Sequence, residues 1–180
     1  MKTVKLFLAI AFFVASTGGY AQTEQSTVIM DNINTWEEAI KPLLGKKIYV
    51  DIWATWCAPC VAEFKHNEAL KKILAENDIQ QLYIALEHDG TKWESYIKEY
   101  NLTGTHILAT DKSGEETFML ALFGVIFSNR GVAYKTKEDF TADINYEMSI
   151  PRYVLIDEEG NIMNRRAKRP SQIVAGEKLW

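Results

Sequence analysis

Trp53-Ala54-Thr55-Trp56-Cys57-Ala58-Pro59-Cys60 holds the only two cysteines of the chain. The β-branched and aromatic run Ile48-Tyr49-Val50-Asp51-Ile52-Trp53 leads into it, and an apolar-periodic helical segment follows. A strand running into Cys-x-x-Cys at a helix start is the arrangement of thiol redox chemistry rather than of zinc binding. A structural zinc site takes four ligands, usually two such pairs or one pair with a spaced histidine pair. Here there is one pair, and His66, His88 and His106 are scattered. The sequence therefore implies no metal ligand set and no cofactor.

The first residues read as a leader rather than as part of the fold. Lys2 and Lys5 precede the apolar run Leu6 to Ala15, and Gly19 and Ala21 supply small residues at the −3 and −1 positions of a cleavage site. This is the pattern of a secretory signal peptide over residues 1–21. The run is too short for a bilayer span, which needs roughly 20 residues; membrane attachment is expected only if the leader is left uncleaved. No cysteine follows the run to take a lipid anchor. Residues 22–180 then form one domain, as the length of 180 suggests. Cleavage removes two lysines and no acid, moving the net charge from −4 to about −6. A mildly acidic domain is a poor nucleic-acid binder.

Export gives the cysteines their meaning. In an oxidising compartment, two thiols this close can form a disulfide. A structural bridge gains most by closing a long loop, and Cys57 to Cys60 closes almost none. The pair reads as a reagent.

Along the chain, Gln22 to Asp31 is a polar, extended lead-in. Asn34 or Thr35 caps a helix across Trp36 to Ile40, with Leu43 and Leu44 on its buried face and Gly45 as its stop. Ile48 to Trp53 is a central strand, apolar except at Asp51. A helix over Ala58 to about Glu76 carries the stripe Val61, Phe64, Leu70, Ile73 and Leu74, and Pro59 sits harmlessly in its first turn. Ile79 to Leu86 is a strand, Lys92 to Tyr100 a helix, Thr105 to Ala109 a short strand, and Glu115 to Phe127 a helix. Ser128 to Tyr146 is polar and weakly periodic. Arg152 to Ile156 and Asn161 to Asn164 form a hairpin about Asp157-Glu158-Glu159-Gly160, and a short helix falls within Ser171 to Trp180. Alternating strands and helices imply parallel crossovers, and the hairpin adds antiparallel strands. The fold class is α/β, a three-layer sandwich around a central mixed β-sheet.

Strand, Trp-Cys-x-Pro-Cys, helix, and later Ile150-Pro151-Arg152 with the strand Tyr153-Val154-Leu155-Ile156-Asp157, together resemble the thioredoxin superfamily. Within it, the chain resembles the exported TlpA-like and ResA-like thiol–disulfide oxidoreductases of bacteria, over roughly Lys46 to Pro170. Ala167 to Ser171 is also similar to members of this group. Ser128 to Tyr146 is longer than the usual link, an insertion at 128–146, and the chain ends where the family normally has a full closing helix. The resemblance implies a thioredoxin-like sandwich. It also implies a monomer exchanging disulfides with protein thiols and with an upstream redox partner, more as a reductant than an oxidant. It places the protein outside the cytoplasm, in the periplasm if the source is a Gram-negative bacterium.

Cys57 is the expected nucleophile, since a helix N-terminus favours the thiolate, and Cys60 the resolving thiol. Ala58 and Pro59 tune the pair. Asp51, within an apolar strand, is a desolvated carboxylate suited to proton exchange with Cys60, and it matches the buried acid of thioredoxins. Glu63 lies one helical turn beyond Cys60 and matches an acid of ResA-like proteins. Pro151 matches the family's cis-proline, which faces the cysteines and leaves the Ile150 backbone to pair with an extended substrate. Trp56 forms a surface wall beside Cys57, while Trp53 packs inside. His66 reads as solvated, and Arg165, Arg166, Lys168 and Arg169 as a solvated basic turn. The alternative is a carrier holding a soft metal such as Cu(I) on the same two thiolates; no methionine or histidine stands beside the pair to help.

Overall fold

The computed structural model describes residues 26–110, 117–128, 131–143 and 147–179. The expected leader, residues 1–21, lies outside them, as do Glu115, Glu116 and parts of the 128–146 segment.

Six strands form one mixed sheet. In chain order they are β1 (Thr27–Met30), β2 (Lys47–Trp53), β3 (Ile79–Leu86), β4 (Gly104–Ala109), β5 (Arg152–Ile156) and β6 (Ile162–Asn164). Their spatial order is β1-β4-β3-β2-β5-β6. The pairs from β1 to β2 are parallel, and β5 and β6 join antiparallel. The expected mixed sheet is present. Every residue of β2 after Lys47 is buried, as a strand covered on both faces requires. The lead-in differs from expectation: Thr27–Met30 is an edge strand on β4. It is short and exposed along most of its length, so it carries none of the apolar alternation that marks a half-buried strand.

Seven α-helices cover the two faces among the described residues: α1 (Trp36–Ile40), α2 (Ala58–Glu63), α3 (Asn67–Glu76), α4 (Gly90–Glu99), α5 (Thr117–Leu122), α6 (Lys137–Ala142) and α7 (Pro170–Val174). The Thr35 hydroxyl accepts from the Glu38 N–H while the Glu38 carboxylate accepts from the Thr35 N–H. Such a cap contributes about 1 kcal/mol over alanine. Leu43 is buried, but Leu44, expected on the same face, is 42% exposed. A 3-10 turn over Lys41–Leu43 tightens the helix end, and Leu44 is already extended.

Side-chain alternation assigns the faces. Ile48, Val50 and Ile52 join a cluster with Trp36, Ala39, Phe118 and Leu122, and α1 touches α5. On the other face, Tyr49 and Leu155 pack with Leu70, Leu74 and Ile173 of α3 and α7. Trp53, on that same face, meets Phe64 edge-on at 4.9 Å and stacks on Tyr96 of α4 at 6.3 Å. The helix expected as continuous from Ala58 to Glu76 is broken by a 3-10 turn at Phe64–His66. A 3-10 turn advances each side chain further round the axis than an α-turn does. Phe64 thereby reaches Trp53, while Leu70 and Leu74 reach the Tyr49 cluster.

The helix expected to end at Phe127 becomes a π-turn over Phe123–Phe127, with all five residues buried. The following segment is a folded cover. Tyr134 N–H donates to the Leu120 carbonyl, and Phe140 of α6 packs against Tyr134 on one side and stacks on Phe123 on the other. Gly124 is where the cover lies closest, because a Cβ there would stand 2.2 Å from the Val132 carbonyl oxygen. The obstacle is backbone, so it cannot swing away. Gly124→Ala is expected to cost about 2 kcal/mol of overpacking, read as a Tm lower by roughly 6 °C. A Tm within one degree of wild type, by thermal denaturation, would contradict this packing.

Candidate redox active site

Strand β2 delivers the site. Beyond Trp53 the chain leaves the sheet, and the Cys57 N–H closes a turn on the Ala54 carbonyl at 3.1 Å. Cys57 is the N-cap of α2: its carbonyl accepts from the Cys60 and Val61 N–H groups, and its Sγ accepts from the Cys60 N–H at 3.3 Å. Pro59 occupies the first turn, where its missing N–H leaves nothing unpaired. Cys57 and Cys60 are disulfide-bonded, with Cα atoms 5.3 Å apart. Both are buried, Cys57 at 5% exposure and Cys60 at 1%. The expected order of accessibility holds, but the margin is small. Trp56 stands beside them at 56% exposure, and Trp53 is fully enclosed; Ala58 and Pro59 are exposed. A thiolate at the Cys57 position would meet the Cys60 N–H and the positive end of the helix.

Asp51 lies beneath. It is 1% exposed, between Tyr83 of β3 and Tyr153 of β5 in the sheet register. Neither carboxylate oxygen has a hydrogen-bond partner among the described residues. Burial, and secondly the charge of Glu63, push its carboxyl well above the usual range.

Glu63 is half-buried and is engaged. Its carboxylate accepts from the Ser171 N–H at 2.9 Å and from the Ser171 hydroxyl at 3.1 Å, fastening α2 to the first turn of α7. The closing helix, although only five residues long, is held by the acid next to the cysteine pair.

The Ile150–Pro151 peptide is cis. Arg152 stands opposite Ile52 in the antiparallel ladder. That pair is the last of the ladder, so the cis-proline lies directly before the start of β5 and Trp53 directly after Ile52 on β2.

Two residues in this arrangement have no counterpart in the sequence reading. Glu87, buried at the end of β3, accepts from the Thr55 N–H at 3.3 Å and from the Thr55 hydroxyl, and from the His88 and Asp89 N–H groups. Burial alone would raise its pKa; the bond from Thr55 and those from His88 and Asp89 outweigh it and hold the carboxyl below the usual range. Glu87 thus pins the loop two residues before Cys57. The only mark in sequence was an acid ending an apolar strand. Ser171 stood out only as the end of the family-like Ala167 to Ser171 stretch, with no link to Glu63.

The histidines stay apart. His66 is half-buried in the 3-10 turn. His106 is fully buried, stacked on Tyr83 with Nε2 on the Leu102 carbonyl; burial takes its pKa down to about 4, against a smaller upward effect of that bond. Among the described residues, no group of three or more histidine, cysteine or acidic side chains is placed to hold a metal ion, and no helix is long and apolar enough to cross a membrane.

The Redoxin family model matches residues 39–172. The chain belongs to the Redoxin family. The ResA thiol-disulfide oxidoreductase of Oceanobacillus iheyensis is 29% identical over 98 residues, 54% of this chain and 50% of that protein. The chain spans about half the length of the ResA relatives it matches first. A solution structure from Bacteroides vulgatus, of a proposed thiol-disulfide oxidoreductase, is 26% identical with a TM-score of 0.52, covering 78% of this chain and 75% of that one. A thiol:disulfide interchange protein of the thioredoxin family from Chlorobium tepidum aligns at 20% identity and a TM-score of 0.52, over 76% and 80% of the two chains. The fold is thioredoxin-like. These likenesses support a TlpA/ResA-like member of the thioredoxin superfamily.

The Asp51 shift fixes the sign of a pH effect. With its folded pKa raised, the native state holds a proton that the unfolded chain releases above about pH 4. Stability is therefore lost as pH rises from there. Asp51→Asn is expected to raise Tm at pH 7, by an increment that shrinks toward zero below about pH 4. Thermal melts across pH check this; an unchanged or lowered Tm at pH 7 would contradict an uncompensated carboxyl.

Proposed function

We propose that this protein is an exported thiol–disulfide oxidoreductase that exchanges disulfides with protein partners through Cys57 and Cys60, acting as a reductant. The observation that carries the reading is the position of Cys57 as N-cap of α2, with Sγ on the Cys60 N–H. In the reduced protein the Cys57 thiolate attacks one sulfur of a partner's disulfide. A mixed disulfide forms, and the partner's second sulfur leaves as a thiolate and takes a proton. Asp51, protonated at rest, supplies that proton, and its carboxylate then takes the proton of Cys60, which attacks Cys57 Sγ. The Cys57–Cys60 bond closes, the partner leaves with both thiols, and two electrons have moved to it. A reduced dithiol protein upstream reverses these steps at Cys57–Cys60, and Asp51 returns the proton.

In this reading Ile150 and Pro151 present backbone to an extended partner segment, with Trp56, Ala58 and Pro59 as the facing wall. Glu63 modulates the pair from its bonds with Ser171. Export rests on the sequence of residues 1–21, and N-terminal sequencing of the mature protein is expected to begin at Gln22.

Wild type is expected to reduce insulin disulfides and Cys57→Ser to fall to background, while Cys60→Ser accumulates a covalent mixed disulfide with the substrate. No insulin reduction by wild type would overturn the reading. The couple is expected below about −200 mV; a value near −120 mV, that of a strong oxidant, would reverse the direction of flow. Glu63→Gln is expected to move the Cys57 thiol titration, followed by thiolate absorbance. An unmoved titration leaves Glu63 with the anchoring of α7 alone.

A further inference from the structure

Arg152 opens β5 directly after the cis-proline. It is 5% exposed and makes no ion pair among the described residues. Its Nη2 donates to the Glu147 carbonyl at 3.2 Å and to the Ser149 hydroxyl at 2.9 Å, and the guanidinium lies 5.1 Å from the centre of the Phe127 ring. All three partners are neutral groups. A guanidinium stays charged inside a protein, and a desolvated charge without a counter-charge is costly. Burial, and secondly the charge of Arg166, act together on Arg152; Glu147 offsets them in part.

The surroundings add positive charge. Arg152 shares a pocket of about 370 Å³ with Phe127, Glu147, Arg165 and Arg166. Arg166 pairs with the Glu147 carboxylate, and Arg165 spends its Nε on the Val125 carbonyl. Three guanidinium-bearing residues and one carboxylate therefore line the same pocket. A second depression, of about 200 Å³, adjoins it through Arg152 and Arg166 and contains Ile150 and Pro151. The pocket is thus continuous with the stretch assigned above to the partner's backbone. The whole chain carries a net charge of −4, so this local surplus runs against the sign of the molecule.

We propose that this pocket receives a carboxylate of the docked polypeptide, an Asp or Glu side chain close to its disulfide, held by Arg152 and Arg165. The protein then selects disulfides flanked by acidic residues. The inference rests on the oxidoreductase reading for its substrate, and not for the pocket itself. Guanidinium and carboxylate match as planar, two-toothed partners, and an incoming carboxylate would supply the counter-charge that Arg152 lacks.

The test uses three synthetic cystine peptides, identical except for Glu, Gln or Lys beside one half-cystine. The Glu peptide is expected to be reduced with a kcat/KM about tenfold above the Gln peptide at low salt, and the Lys peptide to fall below both. Arg152→Met is expected to bring Glu and Gln within about twofold of each other, and Arg165→Gln, an exposed change that keeps the fold, to remove part of the preference. Equal rates for Glu and Gln with wild type would overturn the proposal. So would inhibition by inorganic phosphate beyond that of sodium chloride at equal ionic strength, if the peptides do not differ; the site would then serve a free anion. Calorimetric binding of the same peptides to the oxidised protein separates the two readings. A Glu-over-Gln difference in Kd without any turnover sinks the redox reading and keeps the pocket; equal Kd values sink the pocket.

Discussion

The pairing of β2 with β3 on one side and β5 on the other is the constraint from which the site follows. Parallel to β3 and antiparallel to β5, with Asp51 between Tyr83 and Tyr153, β2 can occupy only one register. A slip by one residue would exchange Ile48, Val50 and Ile52 for Tyr49, Asp51 and Trp53 across the two cores. That register fixes three placements together. The cysteine turn leaves the end of β2, Ile150-Pro151 leads into the start of β5 where Arg152 pairs with Ile52, and the carboxylate of Asp51 is committed to the face that also carries Tyr49 and Trp53.

Within that frame two carboxylates restrain the cysteine turn from opposite ends. Glu87 gathers the Thr55 N–H and hydroxyl just ahead of Cys57. Glu63 takes the Ser171 N–H and hydroxyl just behind Cys60. Hydrogen bonds to a charged acceptor are stronger than those between neutral groups, so each tie is firm for its size. The short closing helix is the element that depends most on this. With five residues it has little apolar surface of its own, and Glu63 together with the packing of Ile173 on Leu70 and Leu74 holds it to the sheet. The 3-10 turn after Glu63 belongs to the same arrangement, because it lets α2 face Trp53 while α3 faces Tyr49.

Much of this was legible in the sequence because it was written in local patterns. Trp53 to Cys60 with its preceding β-branched run gave the strand, the turn and the helix start. Asn34 or Thr35 marked a helix start, and Asp157 to Gly160 a hairpin. What was not legible depended on partners distant in the chain. Thr27–Met30 becomes a strand only because the exposed edge of β4 accepts it. The break at Phe64–His66 reflects two cores that the helix must serve at once, and the apolar stripe alone is equally consistent with a straight helix. Phe140 packs onto Phe123, and Tyr134 onto Phe140, across a segment with too few apolar residues to show a period. Glu87 and Ser171 acquire their roles from groups 32 and 108 residues away.

Asp51 and Arg152 stand one position apart across the β2–β5 ladder, and each faces a different layer of the sandwich. Both are nearly inaccessible and neither has a counter-charge within hydrogen-bonding reach among the described residues. In a scaffold optimised for stability alone, an apolar residue at either position would be the better choice. The rest of β2 and β5 follows that rule, with Tyr49, Val50, Ile52, Val154, Leu155 and Ile156 all buried. The two exceptions lie in the half of β2 that leads to the disulfide and at the start of β5 after the cis-proline. Departures from local consistency concentrate where a fold gives up stability for chemistry. Here they take opposite signs on opposite faces: a carboxyl on the face of Tyr49 and Trp53, and a guanidinium directly after the cis-proline on the other.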